Sequence, residues 1–117
     1  MCLAISLAGG QAAAAPLAEV FATCTGRYSA EVAHAWLIQS PETSAIERKH
    51  AWFKSLLIAA ADTDASNPLI HQRVDAKVAH ANMLSTAQFS QDLGRARWAR
   101  DRAAAEIALC DGLLLGS

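Results

Sequence analysis

The chain has 117 residues, with 10 Lys and Arg against 11 Asp and Glu; 53% of its residues are hydrophobic and only 6% aromatic. That length fits one domain, and 27 of the residues are Ala, a composition that favours helix and argues against an all-β fold. A net charge of -1 with a pI near 6.4 lacks the basic excess that nucleic acid or anionic lipid demands, and no run approaches the roughly 18 to 20 apolar residues of a membrane span.

Residues 2–8 form an uncharged apolar stretch, followed by Gly9-Gly10-Gln11 and then four alanines before Pro16. This pattern is the back half of a secretory signal, with cleavage expected after Ala14 because a cut after Ala15 would place Pro16 directly behind the scissile bond. Residues 1–14 are thus expected to be a signal peptide and 15–117 the folded domain. The basic n-region is missing, so the true start is expected upstream of Met1. A lipoprotein signal ending at Cys24 fits poorly, given Glu19 inside the apolar segment and Thr23 before the cysteine. Removal of the signal takes Cys2 with it and leaves Cys24 and Cys110. An even count in an exported protein reads as a disulfide, whereas two cysteines so far apart, with no CxxC spacing, make a poor zinc site.

The rest reads as four helices in a row. The first is expected over about 17–39, with Leu17, Val20, Phe21, Cys24, Tyr28, Ala35 and Ile38 on one face. Ser40-Pro41-Glu42 is a cap, a proline and an acid that open the second, whose core stripe is Ile46, Phe53, Leu56, Leu57 and Ala60. Residues 62–67 are turn-rich, and Asn67-Pro68 repeats the start signal for a third helix with the stripe Ile70, Val74, Val78, Ala81 and Leu84. A loop around 86–90 precedes the fourth, whose face holds Ala96, Ala99, Ala103, Ile107, Cys110 and Leu114. Short connections make consecutive helices antiparallel neighbours, so the expected fold is all-α: an up-down-up-down four-helix bundle. Cys24 and Cys110 fall at one level near the same end, so a disulfide between them would close the bundle.

Polar residues that interrupt the stripes are the candidates for chemistry. Glu31 on the first helix, His50 on the second, Lys77 on the third and Arg102 on the edge of the fourth fall in a single layer. A buried carboxylate needs a partner, so this layer reads either as a polar stratum that fixes helix register or as a small pocket in which His50, Lys77 and Arg102 hold an anionic ligand with Glu31 orienting it. Glu31-x-x-His34 and Glu47-x-x-His50 match the spacing of di-iron bundles, yet the other two helices offer Lys77 and Arg102 where that site needs carboxylates. No metal or other cofactor is therefore expected. His71 and His80 lie on opposite sides of their helix and cannot chelate one ion. Arg95, Arg97, Arg100 and Arg102 interleave with Asp92, Asp101 and Glu106, which reads as a solvated, salt-bridged face. Trp36, Trp52 and Trp98 sit beside their stripes; they either cover the rim of a small-residue core or, if exposed, mark a surface for a protein partner. No nucleophile elbow or phosphate-binding glycine loop occurs, and the expectation is a non-enzymatic accessory or interaction protein, with a small anionic-ligand binder as the alternative.

The segments Cys24-Thr-Gly-Arg-Tyr-Ser-Ala-Glu31, Ala35-Trp36-Leu37 and Ala76-Lys-Val-Ala-His80-Ala81, with the late Cys110 followed by Leu113 and Leu114, resemble a group of small exported helical proteins of α-proteobacteria. The likeness covers most of the mature chain. It implies a periplasmic or secreted location, and its motifs carry no assigned activity.

Overall fold

The computed structural model describes residues 14–61 and 66–115. Most of the expected signal segment lies outside them. Among the described residues there are four helices and no strand: α1 (Ala14–Leu37), α2 (Thr43–Ala60), α3 (Ser66–Phe89) and α4 (Leu93–Leu115). Their directions follow from which residues meet. Tyr28 stacks on Phe53 with centroids 5.5 Å apart, and Ala22 shares a cluster with Leu57, so α2 runs antiparallel to α1. Thr23 meets Gln72 and Glu31 meets His80 at a constant offset of 49 residues, so α3 runs parallel to α1. Cys24 is bonded to Cys110 and Arg27 faces Glu106, so α4 is again antiparallel. The topology is up-down-up-down, closed by the disulfide.

The bundle is not a symmetric square. In the middle of α1, Ala22, Cys24, Thr25, Gly26, Tyr28 and Ala30 are all buried, and these positions point in every direction around a helix. Such all-round burial marks a central helix. The other three lie around it: α3 and α4 pack on each other, α2 reaches α4 through Phe53 and Cys110, and α2 and α3 show no close backbone approach among the described residues. Sequential helices are therefore antiparallel throughout, but α2 and α3 are not neighbours. Small residues at the crossing draw α1 and α3 together. A Cβ built on Gly26 would lie 2.3 Å from the Arg73 carbonyl oxygen and 3.0 Å from Ala76 Cβ.

The helix ends depart from the expected boundaries for local reasons. α1 stops at Leu37 and not 39: Gln39 takes a left-handed φ of 54°, Ser40 N–H donates to Ala35 O at 2.9 Å, and Gln39 N–H donates to Trp36 O at 3.3 Å. This is a Schellman closure without glycine, which strains Gln39 by roughly 1 kcal/mol. Ser40 is used in that stop and does not cap α2. Its hydroxyl accepts from Glu42 N–H and its carbonyl from the Thr43 hydroxyl, so α2 opens three residues after Ser40. At α4, Asp92 is the cap, accepting from Arg95 N–H at 3.1 Å.

The expected stripes of α2 and α4 do face inward: Phe53, Leu57, Ala96, Ala99, Ala103 and Cys110 are buried. That of α3 does not. Ile70, Val74 and Val78 are about half exposed, while Leu69, Ala76 and His80 turn toward α1. The flat surface beside Gly26 accepts Ala76 and no β-branched side chain, and the bond from His80 to Glu31 fixes the same rotation.

Two consequences are measurable. Gly26→Ala should destabilise the protein by about 1 to 3 kcal/mol because backbone stands in the way of the added methyl; a melting curve equal to wild type would show that the helices can part at no cost. The pair Cys24→Ser and Cys110→Ser opens a covalent loop spanning 86 residues. On the chain-entropy model this should cost about 4 to 5 kcal/mol, and an unchanged Tm of the double variant would remove the disulfide from any role in stability.

Candidate functional site

The polar residues of the interior separate into two groups on either side of α1. The first lies where α1, α3 and α4 meet. Nε2 of His80, a residue 1% exposed, is 2.7 Å from Glu31 Oε2. An ionised carboxylate only accepts, so Nε2 carries the proton of this bond. The other ring nitrogen, Nδ1, lies 3.6 Å from Glu106 Oε2 and has no hydrogen-bond partner. Glu106 in turn faces Arg27, with Nε at 3.8 Å from Oε2, and accepts from Arg102 Nε at 3.3 Å. Arg27 also donates to the Glu106 carbonyl at 3.3 Å and to Cys110 Sγ at 3.6 Å. Two carboxylates, one imidazole and two guanidinium groups thus gather beside the disulfide, with Nδ1 of His80 left without a hydrogen bond.

On the α2 side of the disulfide, Tyr28 donates its hydroxyl to Asp111, which also receives Lys49 Nζ at 3.1 Å. Burial is the main cause that lifts the Tyr28 phenol above its ordinary range, assisted by that hydrogen bond and by the negative charges of Asp111 and Glu31. The phenol is neutral at physiological pH and holds the proton it donates to Asp111.

The second group lies over the gap between α2 and α3. His50 is half-buried on α2. Burial, then the positive charges of Lys54, Arg73 and Lys77, hold its pKa below the usual histidine range. Thr25, Gly26 and Ser29 of α1 with Ile70, Arg73, Val74 and Lys77 of α3 line a groove of about 380 Å³ here.

The four residues of the expected polar layer therefore do not share one pocket. Glu31 and Arg102 belong to the first group and are connected through His80 and Glu106; Arg102 is on the surface, its side chain 60% exposed. His50 and Lys77 belong to the second, and Lys77 is exposed where the wheel put it on the core face. The rotation of α3 is the cause: turning Ile70 and Val74 outward carries Lys77 with them and brings His80 in. Glu31 does line a cavity of about 310 Å³, but with His34, Gln88, Arg100 and Ile107 of its own side. Sequence reasoning missed His80, Arg27 and Glu106. The signal available for His80 was its offset from Glu31, which Thr23 and Gln72 repeat.

Among the described residues no group of three or more His, Cys, Asp or Glu side chains is placed to hold a metal ion, and no helix is long and apolar enough to cross a membrane. Comparison with protein-family models, curated proteins and solved structures finds no match to this chain.

Glu31→Ala leaves the buried His80 without its acceptor and should cost about 1.5 to 3 kcal/mol, as should His80→Ala. The double variant should lose well under the sum, measured by urea denaturation at neutral pH. Strict additivity would mean that the two side chains stabilise the fold independently.

Proposed function

We propose that this protein is an exported, non-enzymatic accessory protein that works by binding another protein through apolar side chains its own fold leaves outside. The observation that carries this reading is the exposure of Trp36, Trp52 and Trp98, at 64%, 59% and 63%. Tryptophan loses few rotamers on binding and is enriched at the energetic centres of interfaces, so leaving three in water is a cost without return in a chain that binds nothing. Leu37, Ile58, Phe89, Leu93 and Leu109 are exposed to a similar degree. The Cys24–Cys110 bond suits an oxidising compartment, as do the apolar N-terminal residues and the likeness to small exported α-proteobacterial proteins. Catalysis finds less support, because Glu31, His80, Glu106 and Arg27 are engaged with each other.

The test is site-specific photo-crosslinking in cells, with a photoreactive phenylalanine analogue at Trp36, Trp52 or Trp98 in turn. A discrete, light-dependent adduct to one partner is expected from at least one position, on a chain recovered from the periplasm that begins at Ala15. Recovery of the unprocessed chain from the cytosol would remove the export half of the reading, and absence of an adduct from all three positions would remove the binding half.

A further inference from the structure

The groove beside Gly26 and Ser29 runs along the seam of α1 and α3, on the side where Arg73 and Lys77 come near His50 of α2. α2 and α3 make no close backbone approach to each other among the described residues, so no helix of the described residues fills it. On α3 the groove is lined by Ile70 and Val74, exposed by 49% and 52%, and Val78, one turn further on and 54% exposed, continues this row of β-branched side chains. A helix whose seam has that spacing normally meets another helix.

The charges around the groove are of one sign. Lys54 of α2 and Arg73 and Lys77 of α3 make no ion pair among the described residues. Asp75, the nearest acid in sequence on α3, lines a different hollow with Thr23, His71 and Gln72. Glu47, one turn before His50, is the acid nearest in sequence on α2. Burial is the main cause that lowers the proton affinity of His50, and the charges that add to it, Lys54, Arg73 and Lys77, are all positive.

Resting on the reading of this chain as an interaction protein, we propose that the groove between α1 and α3 is the docking site for an acidic amphipathic helix of a partner, its apolar seam against Ile70, Val74 and Val78 and its carboxylates against Arg73 and Lys77 and the nearby Lys54. Charge complementarity selects this occupant over a second copy of the chain. The helix surfaces of a second copy carry acids and bases together, Glu47 beside Arg48 and Lys49 on α2 and Asp92 and Asp101 among Arg95, Arg97, Arg100 and Arg102 on α4, so neither offers an unbroken negative face. An acidic helix would bring opposite charge to each uncompensated cation along this groove.

The probe is a synthetic helical peptide about five turns long, with leucines on one seam and glutamates flanking it; a sister peptide carries lysine for glutamate. Binding to the full oxidised chain is read by anisotropy and located by backbone amide shifts. The acidic peptide should bind with shifts centred on residues 70–78 and 25–29, at least about tenfold more tightly than the basic one, and more weakly as salt is added. Lys54→Glu with Lys77→Glu should reverse the preference between the peptides. Val74→Asp, at a half-exposed position, should abolish binding while leaving Tm close to wild type. Equal binding of both peptides, or indifference to these substitutions, would overturn the proposal. So would concentration-dependent self-association that Val74→Asp breaks, which would make a second copy the occupant. Saturable binding of glutamate or phosphate to Lys77 without any peptide binding would overturn it in favour of a small anion. Shifts confined to the surroundings of Trp36, Trp52 or Trp98 would sink this proposal and leave the wider interaction reading intact, whereas loss of the photo-adducts as well as of peptide binding would sink both.

Discussion

Gly26 sets how closely α3 can approach α1, and that distance decides which side of α3 faces the interior. With Arg73 O and Ala76 Cβ already against the glycine, a β-branched side chain cannot be the inward residue at this crossing. The helix therefore turns its smaller and more polar side in, and hydrophobic burial, normally the dominant force, yields to close packing over this stretch. The buried His80 then requires a hydrogen-bonding partner, and Glu31 on α1 supplies it at 2.7 Å. Sterics and electrostatics thus select the same rotation, and the aliphatic ladder of α3 is left outside as the result.

The remaining interior follows from α1 being central. A helix enclosed on every side must offer something acceptable to three different neighbours. It offers Tyr28 to the ring of Phe53, small residues to α3, and Cys24 with Arg27 to α4. Only α4 receives a covalent bond, and that helix needs it most. Its buried positions are largely alanines, each burying little apolar area, and its direct backbone approach to α1 is slight. The disulfide, the Arg27 bonds to Glu106 and the attachment of Tyr28 and Lys49 to Asp111 all fall within the last three turns of α4, so that segment is held by specific bonds where apolar burial is thin.

Much of this fold could be read from the sequence because the relevant signals are local. Ala content, caps and prolines announce four helices, and the stripes of α2 and α4 repeat large residues, or a row of alanines, at helical spacing on the side that turns inward. Two cysteines near the same end of an up-down chain then have one plausible meeting point. What could not be read is rotation. Wheel arithmetic assumes that the most apolar face is the inward one, and on α3 that assumption fails because the inward face is dictated by a glycine on a different helix. One wrong rotation moved Lys77 onto the core and left His80 outside it, so the single polar layer expected from Glu31, His50, Lys77 and Arg102 resolves into two separate groups. The Ser40 cap failed for a related reason: the residue was already committed to closing α1, with Gln39 filling a position where the rule looks for glycine.

The sulfurs themselves are almost wholly enclosed, Cys24 being 3% and Cys110 0% exposed, with the Arg27 guanidinium laid against Cys110. Thiol–disulfide exchange proceeds by in-line attack of a thiolate on one sulfur, which needs an open approach. Cys24 does line a hollow of about 440 Å³ with Arg27 and Leu109, but the way to the sulfurs is narrow while α4 is seated on α1. The terminal turns of α4 thus shield the bond that restrains them, and its lifetime in a reducing medium depends on how often that helix opens as well as on the attacking thiol.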